Sequence, residues 1–350
     1  MTPQQHDILT ATPRELAHWL ADQGQPSYRL EQLLRWLHTE HVDSFEAMTN
    51  LSLDLRRRLE EGYSFPVLRP VRQQTSQDGG TGKSLLELAD GEQIECVWMG
   101  KGDRVTFCIS SQTGCALGCR FCATGGGGPG RNLAAGEVLG QVQHLARERA
   151  WPANVVFMGM GEPLLNLDAL LPALEALTDA QRLALGSRRI TVSTAGLPDG
   201  IRALARSPVR PRLALSLNSP FEEQRSELMP VNRMHPLAEV LNACREYSET
   251  TGRRVSLEYV LLGGVNTSAA AARAVGRIAR DLNALVNLIP FNSVPDSPFR
   301  PPSTNEVQFF RSVLEEGHVN ITERYRRGRD ISAACGQLRA GRRPRPRKGS

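Results

Sequence analysis

Three of the seven cysteines stand within eight positions, Cys115, Cys119 and Cys122 in the stretch CALGCRFC. Cysteines this close together, in a glycine-rich loop without core periodicity, point to a metal centre or to redox chemistry. A disulfide framework is disfavoured. The chain opens MTPQQHDILT, with no basic region followed by an apolar one to direct it to an oxidising compartment, so a cytoplasmic protein is expected. Zinc would ask for four closed ligands, commonly two cysteine knuckles. Here there is one triplet and no fourth cysteine nearby, and the closest histidine, His144, lies in a helical pattern. Three thiolates on a four-iron cluster would leave one iron open to a further ligand. Buried core cysteines are the bland alternative.

Other residues suited to chemistry fall at regular places. GMGEP (Gly159 to Pro163), STAG (Ser193 to Gly196), SLNS and Asn292 each follow or complete an apolar, β-branched run. Any one could be a turn or a helix cap. Together with the cysteine triplet they suggest one polar cavity, because in parallel sheets the site forms at the carboxyl ends of the strands.

The elements that must position them alternate from residue 104 onward. Strand patterns are VTFCIS, NVVFMG, RITVST, RLALSL, RVSLEYVL and LVNLIPF. Helical patterns are AAGEVLGQVQHLARERA, LDALLPALEALT, DGIRALAR, PLAEVLNACREYSE, SAAAARAVGRIARDL and NEVQFFRSVLEEG. This predicts an α/β fold, a barrel-like parallel sheet of about six strands, since no dinucleotide glycine fingerprint follows the first strand. In VTFCIS, alternation puts Thr106, Cys108 and Ser110 on the face opposite Val105, Phe107 and Ile109, so Cys108 is expected to point into the lumen.

Ahead of the sheet, residues 1–65 read as a small helical domain. TPRE offers Thr12 as a cap, Pro13 in the first turn and Glu15 to complete a capping box. LSLDLRRRLEE adds a helix whose Arg56, Arg57 and Arg58 form a basic face, solvated or touching phosphate. Residues 66–103 form a hairpin extension, two strand-like runs around Asp90-Gly91. GGTGKS before it resembles a phosphate loop but fails: position 77 is Gln where the first glycine belongs, and a strand follows instead of a helix. Residues 104–325 form the barrel and 326–350 a C-terminal segment with a basic tail. Arg339, Arg342, Arg343, Arg345, Arg347 and Lys348 outweigh the net charge of +5, so the tail either attracts RNA or is merely solvated. No apolar run in the 350 residues approaches the roughly 18 to 20 residues needed to span a bilayer.

CISSQTGCALGCRFCATG, RNL, VFMGMGEPLLN, STAG, NLIPFN and DISAACGQL together resemble the RlmN/Cfr family of radical S-adenosylmethionine (SAM) RNA methyltransferases, most closely its RlmN branch. The resemblance runs from the LRRRL helix to Leu338. It implies a partial (β/α)6 radical SAM barrel. It also implies methylation of carbon 2 of an adenine in 23S rRNA and in tRNA, a one-electron reductant such as flavodoxin, two SAM molecules per turnover, and a monomer. By the same resemblance, Cys115, Cys119 and Cys122 hold a 4Fe–4S cluster, and Gly161, Glu162, Ser193, Ser216, Leu217, Asn218 and Asn292 bind SAM. Many relatives have SLH where this chain has SLN. Cys335 matches the methyl carrier, Cys108 the resolving thiol that forms a transient disulfide with it, and Glu95 the proton acceptor. Cys96 and Cys244 match no functional position and are expected to be structural. Two other readings stay open: a Cfr-like enzyme acting on carbon 8, and a non-catalytic iron–sulfur RNA-binding module, which would need neither Cys108 nor Cys335.

Overall fold

The computed structural model describes residues 5–101, 104–149, 151–294, 297–323, 328 and 330–339; the cations expected at 342–348 lie outside these. The first unit comprises β1 (His6–Asp7), α1 (Pro13–Asp22), α2 (Tyr28–His38), α3 (Leu53–Gly62) and β2 (Tyr63–Ser64). The capping box is present: Glu15 N donates to Thr12 Oγ1 at 3.2 Å and Thr12 N to the Glu15 carboxylate at 2.7 Å. Leu16, Leu20, Leu33, Leu37, Leu55 and Leu59 turn inward from the three helices, and β1 pairs in parallel with β2. Cross-bonds tie the unit to the sheet domain, Gln143 Nε2 to Leu37 O at 2.7 Å and Arg147 Nη1 to His41 O at 2.8 Å.

Next come β3 (Leu68–Thr75), β4 (Thr81–Leu88) and β5 (Gln93–Lys101), antiparallel to one another. The expected hairpin is β4–β5. The structure adds β3, which the sequence hid because its Leu-Arg-Pro-Val-Arg-Gln-Gln-Thr run has no apolar face. Nearly all of it is exposed, as suits an edge strand guarded by charge and proline. The extension is not detached, because β5 pairs with β6 (Arg104–Cys108), Val97 opposite Cys108. GGTGKS enters β4, which confirms that it is no phosphate loop.

From β6 the chain alternates as expected. The short α4 (Ala123–Gly126) and α5 (Ala135–Glu148) lead to β7 (Asn154–Phe157), and α6 (Leu167–Thr178) leads to β8 (Ile190–Thr194). Then follow α7 (Pro198–Arg206), β9 (Arg212–Ser216), α8 (Glu222–Leu228), α9 (Leu237–Thr251) and β10 (Ser256–Leu261). The last are α10 (Ala269–Asp281), β11 (Leu285–Pro290), α11 (Thr304–Glu316) and β12 (Ile321–Glu323). The six expected strands are β6 to β11, parallel throughout, and three-residue β12 adds a parallel seventh. The ten-stranded order runs β12-β11-β10-β9-β8-β7-β6-β5-β4-β3, an open sheet. Thr106, Cys108, Asn154, Val156, Thr191, Arg212, Ile289 and Glu323 all line one cavity, which requires the sheet to curve into a partial barrel. Its convex face is buried under the helices by Phe107, Phe157, Val192, Leu213, Leu257 and Leu288, each contributing roughly 1.5 to 3 kcal/mol. Cys96 and Cys244 are fully buried in this core.

Candidate active site

Beyond β6 the backbone turns through a loop that close-packed glycines fold onto itself. A Cβ on Gly130 would lie 2.2 Å from Gly114 N, so neither strand of the loop tolerates a side chain there. Cys115 N donates to Gly128 O at 3.0 Å and Cys122 N to Cys119 O at 3.1 Å. The three thiols line one cavity and pack against an apolar shell of Leu117, Phe121, Met229, Leu262 and Phe291. Burial, helped by the neighbouring Cys122 and Glu162, pushes the Cys115 thiol up to about 11, and burial pushes Cys119 well above its usual range. Such thiols stay protonated without a cation, and a metal centre would displace their protons. Among the described residues no three His, Cys, Asp or Glu groups converge tightly enough for a single metal ion. Three cysteines with no histidine in the cavity lining are a donor set that suits an iron–sulfur cluster. His144 is accounted for elsewhere, paired with Glu148 at 2.8 Å on α5.

The same cavity collects the carboxyl ends of β7, β8, β9 and β11. Open mouth included, it spans about 1000 Å³. Gly161 turns at φ 98°, and a Cβ there would meet Gln112 Cβ at 2.6 Å. That turn delivers Glu162, 4% exposed, whose carboxylate accepts from Ala195 N at 2.8 Å and Leu164 N at 3.1 Å. Even so, burial pushes its carboxyl up to about 7, which leaves it receptive to a cationic donor such as an ammonium group. Ser193, Ser216, Asn218 and Asn292 line the cavity, and Asn292 Oδ1 is buried without a hydrogen-bond partner among the described residues. Three thiols, an acceptor carboxylate and an orphaned amide oxygen are a donor set that fits an iron–sulfur cluster with SAM beside it.

Leu217 and Glu95 stand outside the cavity lining, and Asn218 has a second task. Leu217 is fully buried and lines neither cavity; its carbonyl receives Arg225 Nε at 3.2 Å. Asn218 adopts φ 55°, a conformation asparagine tolerates, and its Oδ1 accepts Val260 N at 2.9 Å. Its role here is therefore partly to brace β10. Glu95, on β5, is not the solvated acid its hairpin position suggests. It is 5% exposed, ion-paired with Lys83 at 2.8 Å, and its Oε2 accepts Arg339 N at 2.8 Å.

That last bond belongs to a set that docks the C-terminal segment. Lys83 Nζ donates to Ser332 O at 3.2 Å, Gln77 N to Asp330 Oδ2 at 2.9 Å, Ala123 N to Gly336 O at 2.8 Å and Thr124 Oγ1 to Leu338 O at 2.6 Å. Held between the extension and the cysteine loop, the segment brings Cys335 into the thiol-lined cavity. Cys335 also lines the second cavity, the barrel lumen, together with Cys108. Sequence reasoning missed Arg225, which is fully buried on α8, where burial lowers the pKa of its guanidinium to about 10. It donates to Ala195 O at 2.6 Å, to Ser216 O at 3.3 Å and to Asn232 Oδ1, tying the ends of β8 and β9 together. It also missed Gln112, whose Oε1 receives Glu162 N at 2.8 Å.

Comparison with known proteins agrees with this geometry. Residues 109–272 match the Radical SAM superfamily, and residues 6–64 match the ribosomal RNA large subunit methyltransferase N-terminal domain. The chain is 44% identical over 345 residues to a "probable dual-specificity RNA methyltransferase RlmN" of Rhodopirellula baltica, covering 97% of this chain and 92% of that protein. A protein of the same description from Gemmatimonas aurantiaca is 45% identical over 329 residues, 93% of this chain and 90% of the relative. A radical SAM methyltransferase from Sphaerobacter thermophilus has a similar crystal structure, with a TM-score of 0.91 at 44% identity, covering 95% of this chain and 99% of that one. No helix among the described residues is long and apolar enough to cross a membrane.

Proposed function

The chain belongs to the RlmN family of radical SAM RNA methyltransferases, and from that premise we propose that it methylates carbon 2 of one adenine in 23S rRNA, and of an adenine in tRNA, with Cys335 carrying the methyl group. The observation that carries this reading is the position of Cys335, which lines both the thiol-lined cavity and the lumen that contains Cys108. A non-catalytic iron–sulfur module would need no such bridge.

Carbon 2 of adenine is electron-poor and offers no lone pair, so direct displacement on a methyl donor fails there. When bound, the cluster and two SAM molecules supply a transferable methyl group and a radical able to take hydrogen from it. Cys115, Cys119 and Cys122 would hold the cluster, and Glu162 and Asn292 would orient SAM. Leu217 and Asn218 would act through the backbone they brace. The Cys335 sulfur attacks the methyl carbon and gives up its thiol proton. After losing one hydrogen atom, the carried carbon bonds to adenine C2, joining protein and RNA, and the unpaired electron left on the base would return to the bound cofactors. Glu95, released from its pairing, takes the proton from C2. Cys108 sulfur, giving up its thiol proton, then attacks Cys335 sulfur; the sulfur–carbon bond breaks with its electron pair on carbon, which takes up a proton to complete the methyl group, a disulfide forms and the methylated base departs. We assign residues 1–65 to RNA contact, 66–103 to holding the C-terminal segment, 104–325 to the cofactors and 326–350 to carrying the methyl group. A flavodoxin-like reductant, a cytoplasmic setting and a monomeric state complete the reading.

The test is anaerobic reconstitution with iron and sulfide, followed by labelled SAM, a reductant, and either a 23S rRNA fragment or tRNA. Mass spectrometry of the nucleosides should find 2-methyladenosine. Finding 8-methyladenosine would assign the chain to Cfr-like chemistry, and no methylation by a cluster-replete protein would reject the reading.

A further inference from the structure

We propose that the opposite, N-terminal mouth of the barrel is the RNA docking site: a rim of arginines that grips the phosphate backbone while one base passes up the lumen to Cys335. The inference rests on RNA being the substrate, and adds where and through which residues it enters.

Parallel strands place all their first residues at one end. In this chain those positions carry arginine repeatedly. Arg104 opens β6, Arg188 lies in the turn before β8, Arg212 opens β9, and Arg253 and Arg254 precede β10. Arg188, Arg212, Arg253 and Arg254 line a third cavity at this end. It shares Thr191 and Arg212 with the lumen, and the lumen reaches Cys108 and Cys335. The lumen itself is lined by Arg104 and Arg212 as well as by Cys108 and Cys335, and the third cavity adjoins it.

Among the described residues none of these five arginines makes an ion pair. Arg253 and Arg254 are held in place by neutral acceptors, Arg253 Nε on Arg210 O at 3.2 Å and Arg254 Nη2 on Ala284 O at 3.2 Å, which leave their charge intact. The acids at hand are Glu258, whose Oε1 accepts Asn287 Nδ2 at 2.7 Å and Ser256 Oγ at 3.1 Å, and Glu323. By contrast the α3 face is partly committed: Arg58 pairs with Asp54 at 3.0 Å and Arg56 donates to Glu46 O at 2.8 Å. At the other end of the barrel, the cysteine loop and the segment around Cys335 and Gly336 wall the thiol-lined cavity.

Cations spread around an opening, beside a lumen whose walls mix polar side chains such as Thr106 and Asn154 with apolar ones such as Val156 and Ile289, suit a polyanion with one nucleotide turned inward. The backbone stays on the rim, where arginine forks match phosphate oxygens, and the extruded base enters. A small free anion would use one or two of these groups and would not need the adjoining lumen.

The test compares the reconstituted full-length protein with Arg188→Ala/Arg212→Ala, both exposed positions at the rim. A second double variant, Arg273→Ala/Arg277→Ala on α10, makes the same charge change away from the mouth. The probe is a fluorescent 23S rRNA fragment titrated over a series of KCl concentrations. Removing two phosphate contacts should weaken binding roughly tenfold at low salt and flatten the logarithmic salt slope by about 1 to 2. The rim variant should also show a raised KM for RNA methylation, and the α10 variant should match the parent. Unchanged affinity and slope in the rim variant, or an equal loss in the α10 variant, overturns the proposal. A parent that binds RNA but does not methylate it rejects the proposed activity, while the binding comparison still decides the rim.

Discussion

Glu162 shows how burial sets chemistry at a single residue. Its carboxyl moves from 4.5 up to about 7 because desolvation outweighs the bonds from Ala195 and Leu164. A raised acid stabilises the fold while it is neutral, so that contribution is complete below about pH 4.5 and lost as pH rises through about 7. The shift corresponds to about 3 kcal/mol at most. In denaturant unfolding of the cofactor-free chain, Glu162→Gln should remove this decline between pH 5 and pH 8. A cationic amino group beside the carboxylate reverses the preference, so SAM affinity should rise over the same window in the parent and stay flat in the variant. Parallel pH profiles for the two would contradict the assignment. At this scale the sequence was legible where residue type and spacing are unusual, as with Cys115, Cys119, Cys122 and Glu162. It was illegible where an ordinary residue has an unusual environment. Arg225 in Glu-Glu-Gln-Arg-Ser-Glu reads as one more surface cation, yet it is fully buried between β8 and β9.

Among the elements, the C-terminal segment depends most on partners distant in sequence. Lys83 and Glu95 face each other across β4 and β5, nearly dry, and both bond to the segment, at Ser332 O and Arg339 N. Removing one member of such a pair leaves a buried charge, typically costing roughly 3 to 5 kcal/mol. Lys83→Met should therefore loosen residues 330–339, seen as backbone hydrogen exchange about tenfold faster or more there, with the β6–β9 core unchanged. Arg339→Pro, which deletes the donated N–H at an exposed position and fixes the local φ, should do the same. Unaltered exchange in both variants would mean that the pair does not hold the segment. The alternation from β6 to α11 was legible because most of its elements carry their own hydrophobic period. β3, α8 and β12 were not: β3 lacks an apolar face, α8 is seven residues long and β12 three. What fixes all three is pairing and packing with distant chain.

For the molecule as a whole, two cavities meet along the sheet, and the C-terminal segment places the Cys335 thiol at both. A partial barrel was legible from six strand–helix alternations, and the lumen-facing side of Cys108 followed from period 2. The route of the C-terminal segment past Glu95, and the arginine mouth, depend on how strands assemble and so could not be read locally. The central claim is that Cys335 carries the methyl group and Cys108 releases the product, which the shared lumen makes geometrically reasonable. The most direct measurement is a denaturing gel of Cys108→Ala, Cys335→Ala and the double variant purified from cells, run with and without ribonuclease. Cys108→Ala should carry covalently bound RNA that ribonuclease trims, because addition to the base proceeds and release does not. Cys335→Ala and the double variant should be free of RNA, because the carrier step comes first. A Cys108→Ala protein that carries no RNA and turns over normally would contradict the claim.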